Sequence, residues 1–233
     1  MYHLFFFRLL EQMTTAEKIR DKACELFNEK GIAEVSIRDI AAALDISHGN
    51  LRYHYPGKGL IIEAIFQACL EASDKVMEQL DHPAVELSTI LMATAQQAVK
   101  FWEFRFLLKD LLAITQQYPK VGDALRQMYR HREQQLNNIF QYLHHKGLLQ
   151  EEVFPGYYKM VIENCLMATD FGISFVELNY PNVPETEKIH RYHLSWFVPM
   201  LACLTEKGQN EIFPLLQDWR GGSSNVFFMS ASK

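Results

Sequence analysis

Residues Ile46 to Lys58 read ISHGNLRYHYPGK, two histidines, two tyrosines, an arginine and a lysine gathered around Gly49 with no acid among them. These are side chains that can read a nucleic-acid duplex. Asparagine can bond adenine bidentately, arginine does the same to guanine, and a phenol packs on a thymine methyl or donates to phosphate. With Leu51 on the buried side of a helix, the 100° step per residue turns Gly49 and Tyr53 outward. Asn50 and Arg52 then flank them, His48 and His54 stand at the edges, and Tyr55 falls back beside Leu51. Gly49 removes a side chain where the helix backbone must approach closely.

Positioning that face requires short helices in fixed order, and the flanking sequence predicts them. Thr14-Thr15-Ala16-Glu17 has the form of a capping box, and Ile19, Ala23, Leu26 and Phe27 make one apolar stripe ending at Gly31. Ser36 caps a second helix that turns Ile37, Ile40, Ala41 and Leu44 inward and Arg38 outward. Asp45-Ile46 is a tight turn, and Ser47 caps the third helix, which Pro56-Gly57 ends near Tyr55. Lys58 opens a fourth helix to about Leu80. Ser36, Arg38 and Lys58 sit at helix starts, where backbone N–H groups and the positive dipole end favour phosphate. Two short helices joined by a tight turn describe a helix-turn-helix.

Charge follows the same division. The net charge of −5 argues against nonspecific coating of nucleic acid, and from Thr14 to Lys58 seven acids balance seven bases. Only the stretch 46–58 is locally positive, which suits sequence reading better than coating. Two alternatives stand beside it: a solvated helical hairpin that happens to be polar, and a helical protein-interaction adaptor that never meets DNA. Such adaptors usually present exposed apolar anchors, which this face lacks.

The segment from Thr14 to Phe66 resembles the amino-terminal domain of the TetR family of bacterial transcriptional regulators. The likeness rests on Ala23, Leu26, Phe27, Lys30 and Gly31, on the run SIRDIA from Ser36 to Ala41, and on the I-S-x-G-x-L-x-Y-H-Y-P-x-K string from Ile46 to Lys58. The resemblance implies DNA contacts from Ser36, Arg38, His48, Gly49, Asn50, Arg52, Tyr53, His54 and Lys58. It also implies a homodimer on a near-palindromic double-stranded operator and a small-molecule pocket whose occupancy weakens DNA binding. Arg52 stands where the family usually has tyrosine. Gly59 stands where an acid is common, and is expected to loosen the first turn of the fourth helix by about 1 kcal/mol.

Beyond the head, apolar residues recur every three and four positions. Helices are expected near 84–100, 103–117, 121–146, 156–179 and 186–206, separated by His82-Pro83, Tyr118-Pro119, Gly147, Pro155 and the loop 180–184. The fold class is all-α: an N-terminal three-helix DNA-binding domain followed by a C-terminal helical ligand-binding and dimerisation domain. The organisation reads as a flexible extension 1–13, a helix-turn-helix domain 14–58, a helical body 59–220 and a frayed tail 221–233.

Within the body, the aromatic stripe around Trp102 and Phe106 is the first candidate for a pocket wall, with Tyr129, Met167 and Phe171. Glu163 and Asp170, acids in an apolar helix, are candidates to pair with a base or to polarise that pocket. The helices 156–179 and 186–206 correspond by resemblance to a dimer-forming pair, with Met160, Phe175, Trp196, Phe197 and Leu201 as interface candidates, unless they bury within one subunit. His190 and His193 are spaced for a shared metal but lack convergent ligands, so surface or interface positions are expected and no metal or cofactor is assigned. His144 and His145 are expected to be solvated. The four widely spaced cysteines read as reduced core thiols, which favours a cytoplasmic location. No apolar run is long enough for a membrane span, and no catalytic string occurs. The reading is a one-component regulator, a repressor rather than an activator.

Overall fold

The computed structural model describes residues 13–80 and 85–220. The expected extension 1–13, apart from Met13, the tail 221–233 and the turn at His82-Pro83 lie outside them. Eleven α-helices account for most of the described chain; its only β pairing is an isolated bridge between Leu149 and Leu204.

The head forms as its caps dictate. Helix α1 (Thr15–Lys30) starts with the Thr14 hydroxyl accepting from Glu17 N–H while the Glu17 carboxylate takes the Thr14 N–H at 2.8 Å. It buries Ile19, Ala23 and Phe27 and ends at Gly31, whose φ of 82° a residue with a Cβ would resist. Helix α2 (Ile37–Ala43) repeats the device with Ser36 and Asp39. Asp45 adopts a left-handed φ of 54° in the following turn, a conformation that aspartate tolerates better than most residues. Ser47 then caps α3 (His48–His54), which is anchored by the fully buried Leu51.

Helix α4 (Lys58–Met77) belongs to both halves. Its first turns bury Ile61, Ile62, Ile65 and Cys69 in the core shared with the head, and its last bury Val76 and Met77 in the body. The body comprises α5 (Leu87–Glu103), α6 (Arg105–Lys109), α7 (Leu111–Gln117), α8 (Pro119–His145), α9 (Tyr157–Asn179), α10 (Glu185–Leu201) and α11 (Glu206–Arg220). The single helix expected over 103–117 is two short ones, because Phe104 and Asp110 leave helical geometry. Asn28 from α1 braces the first break: its amide donates to Glu103 O at 2.7 Å and accepts the Phe106 N–H at 3.0 Å. The head core therefore continues into the body through Phe106, Leu107, Leu111 and Ile114.

Two further expectations are corrected. The last long helix stops at Leu201, and a separate α11 follows, in which Gly208 and Pro214 are both unfavourable by propensity. Tertiary contact overrides them: a Cβ at Gly208 would sit 2.5 Å from Leu148 O, so only glycine permits that approach. Gly59 likewise has a packing reason, since a Cβ there would come within 2.9 Å of the Tyr118 ring between α7 and α8.

Candidate functional site

The outward face of α3 carries the residues named for it. His48, Gly49, Asn50, Arg52 and Tyr53 are exposed, Tyr53 to 84%, while His54 is half-buried with its ring edge against Tyr53 at 5.2 Å. Arg38 and Arg52 have no carboxylate partner among the described residues, whereas Arg20, Lys22 and Asp39 are tied up within the head. Two exposed guanidinium groups are thus left unneutralised, one on α2 and one on α3 with the phenol of Tyr53 and the amide of Asn50. A Cβ at Gly49 would meet nothing nearer than the Ser47 hydroxyl at 3.8 Å, so packing inside the protein does not call for glycine there.

Two of the nine DNA candidates are engaged elsewhere. Ser36 donates to Asp39 through both its N–H and its hydroxyl, at 2.7 and 2.6 Å, so an internal carboxylate already occupies the start of α2. Those bonds hold the Asp39 carboxyl below its usual range. Lys58 turns inward, bonding Ile32 O with its ammonium 5.6 Å above the Phe27 ring, and burial lowers its pKa.

A second site lies in the body. A cavity of about 120 Å³ is enclosed by α4 to α10, with mostly apolar walls. Phe101 of the aromatic stripe expected to form a pocket wall lines it, but Trp102, Phe106, Tyr129, Met167 and Phe171 do not. Trp102 and Phe106 are buried in cores beside it, Met167 and Phe171 lie on the outer surface of α9, and Tyr129 stands behind the wall. The residues with polar side-chain groups that line it are Ser73, Thr94, Gln97, Arg132, Thr169, Asp170 and Trp196. Arg132 is bonded to Ser73, Asp74 and Gln135 at 2.8–3.1 Å. Asp170 accepts from the Tyr129 hydroxyl, and burial pushes its carboxyl up to about 6. The other acid, Glu163, is exposed and lies 3.9 Å from Lys159.

The residues named for a dimer face divide. Met160 and Phe175 are exposed on α9, on the same side as Met167, Phe171 and Leu178. Trp196 and Phe197 are buried within the subunit and line the cavity, because α10 turns that face toward α5 and α9; Leu201 is half-buried. His193 is not at the surface: it is fully buried, with Nε2 2.9 Å from the Thr94 hydroxyl, and burial depresses its pKa to about 3. His144 is half-buried too, with Nδ1 3.2 Å from the Tyr158 hydroxyl. The signal sequence reasoning missed is Gln97, a lone amide on the apolar face of α5, which reads as noise in a periodic pattern.

Comparison with known proteins agrees with this geometry. Residues 19–65 match the family described as bacterial regulatory proteins, tetR family, and residues 66–212 match TetR, bacterial transcriptional repressor, the division falling inside α4. A probable HTH-type transcriptional regulator of Bacillus subtilis (strain 168), YttP, is 33% identical over 67 residues, 29% of this chain; the match spans about a third (32%) of that relative's length. A TetR-family transcriptional regulator of Marinobacter aquaeolei VT8 superposes with a TM-score of 0.79 at 24% identity, over 89% of this chain and 99% of its own. SmeT of Stenotrophomonas maltophilia, the repressor of the multidrug efflux pump SmeDEF, gives 0.58 at 14% identity over 83% and 92%, and its complex with triclosan gives 0.55 at 16% over 83% and 93%. At these identities the structural likeness is one of fold. With the family matched along most of its length and the helix-turn-helix in place, the chain belongs to the TetR family of transcriptional regulators.

Proposed function

We propose that the protein is a repressor that binds a near-palindromic operator as a homodimer and is released when a small molecule enters the body cavity. The observation that carries this reading is α4. One end of it follows α3 directly, and its far half supplies Phe66, Cys69, Leu70, Ser73 and Met77 to the cavity wall. A rigid helix that reaches both sites gives ligand binding a lever on the reading head. The Gly59–Tyr118 approach and the Asn28 brace are two further joints between head and body.

In this reading Arg38, Asn50, Arg52 and Tyr53 enter the major groove, with His48 and His54 at its edge and Gly49 at the closest approach. Ser36 contributes through the capped start of α2, and Lys58 stabilises the head from within rather than gripping phosphate. The exposed stripe Met160, Met167, Phe171, Phe175 and Leu178 on α9 becomes the dimer face, since an apolar surface of that kind favours burial against a copy of itself. Half-sites one turn apart require the two α3 helices about 34–36 Å apart, and a coupling of about 1–3 kcal/mol per ligand changes occupancy markedly. That SmeT takes up triclosan in the same fold supports a small-molecule effector.

Selection from random DNA followed by gel shift tests this reading. The expected outcome is an inverted repeat bound by two protomers. Recovery of no preferred sequence, or of a site bound by one protomer, would overturn it.

A further inference from the structure

Gln97 is 5% exposed and lies against the cavity, and neither its Nε2 nor its Oε1 has a hydrogen-bond partner among the described residues. The Trp196 Nε1–H on α10, a residue 8% exposed on the same cavity, has none either. Buried polar atoms left open in this way are rare and costly, and they mark where a partner belongs. The remaining polar groups on the wall are already used. The Thr94 hydroxyl bonds Ile90 O and meets His193, Arg132 has Ser73, Asp74 and Gln135, and Asp170 has Tyr129.

Resting on the effector reading above, we propose that the ligand is an uncharged, largely apolar molecule carrying an amide-like group. That group, a carbonyl beside an N–H or O–H, closes the open bonds of Gln97 and Trp196. The donor count requires both halves of it. Gln97 offers two N–H donors and an acceptor, and Trp196 a donor only, so the complement must accept and donate together. The body of the ligand is apolar because the wall is built of residues such as Phe101, Leu108, Phe140 and Ile162. It is not an anion because the cation on the wall, Arg132, is already held by Asp74, and not a cation because the Asp170 carboxyl is already held by the Tyr129 hydroxyl and burial favours its neutral form.

The test uses the N-phenyl amides of acetic, hexanoic and benzoic acid, each beside the olefin in which CH=CH replaces CO–NH. Calorimetry on the full chain should show at least one amide binding about tenfold or more tighter than its olefin, the cost of leaving a buried amide open. Gln97→Leu should abolish or reverse that preference. In the wild-type protein the Trp196 indole N–H resonance, assigned with Trp196→Phe, should move downfield with amide and not with olefin, a readout independent of how the Gln97 variant folds. The inference is overturned if no amide binds, if olefins bind as well, if the preference survives Gln97→Leu, or if the N-phenylbenzamidinium cation binds more tightly. Fluorescence anisotropy on the operator separates the two readings. Amides that bind with the expected preference but leave DNA affinity unchanged uphold the ligand class and sink the effector role. Olefins that release DNA as well as amides do the reverse.

Discussion

On α3, Asn50, Arg52 and Tyr53 are exposed over one buried leucine; on α5 and α10, Gln97 and Trp196 line an apolar cavity with buried polar atoms that have no partner among the described residues. In the proposed reading both surfaces take a partner, but their empty states differ energetically. Exposed groups exchange water for a base or phosphate at small net gain, so in the proposed reading affinity at α3 comes largely from counterions released from DNA and specificity from geometry. Buried groups without partners destabilise the empty protein, so filling the cavity removes a cost already present. A DNA face can therefore be polar throughout without harm to the fold. A cavity can hold only a few open polar atoms.

The comparison can be broken at the joint between the two regions. Asn28→Ala leaves Glu103 O and the Phe106 N–H without their brace at the α5–α6 break, and should cost about 3 kcal/mol in thermal or denaturant unfolding. A variant as stable as the wild type would show that the brace does not link head to body. On the outward side, Arg52→Ala should weaken operator binding by about 2 kcal/mol, roughly thirtyfold, and relax preference at one base pair. Repeat selection returning the same site at equal affinity would remove Arg52 from the reading face.

On the inward side, pH reports the burial of Asp170. Its folded pKa, raised to about 6, lies above the unfolded value, so its contribution is fully present at low pH and is lost as pH rises from about 4 through 6. Asp170→Asn keeps an acceptor for Tyr129 and removes the titration. Its stability relative to wild type should climb by about 3 kcal/mol across that window and then level off. A parallel pair of pH–stability curves would contradict this. The smallest effect sharpens the contrast most. Gly49→Ala should stabilise the head by about 0.5 kcal/mol, because alanine is the better helix former even in the first turn of α3 and no neighbour resists the methyl, while weakening DNA binding. Unchanged DNA affinity would mean that the backbone at Gly49 does not approach the duplex closely.

The head was legible because its information is local. Thr14 with Glu17, Ser36 with Asp39, Ser47, Gly31 and the Asp45 turn act within a few residues of themselves, and a 100° periodicity then settles that Leu51 points in and Tyr53 out. The body was legible only as a series of helices. Trp102 and Phe106 read as pocket wall and proved to be core, Trp196 and Phe197 read as interface and proved to line the cavity, and Met167 and Phe171 proved to lie outside.

By itself, the sequence determined the all-α class, the capped reading helix and its outward face, because these follow from neighbours along the chain. Only the tertiary structure decided which face of α10 meets α5, that Lys58 folds back over Phe27, that Gly208 permits a helix which propensity disfavours, and that Gln97 is left open in a cavity. Each of these depends on what a distant segment places opposite a residue, and periodicity along one helix carries no record of that.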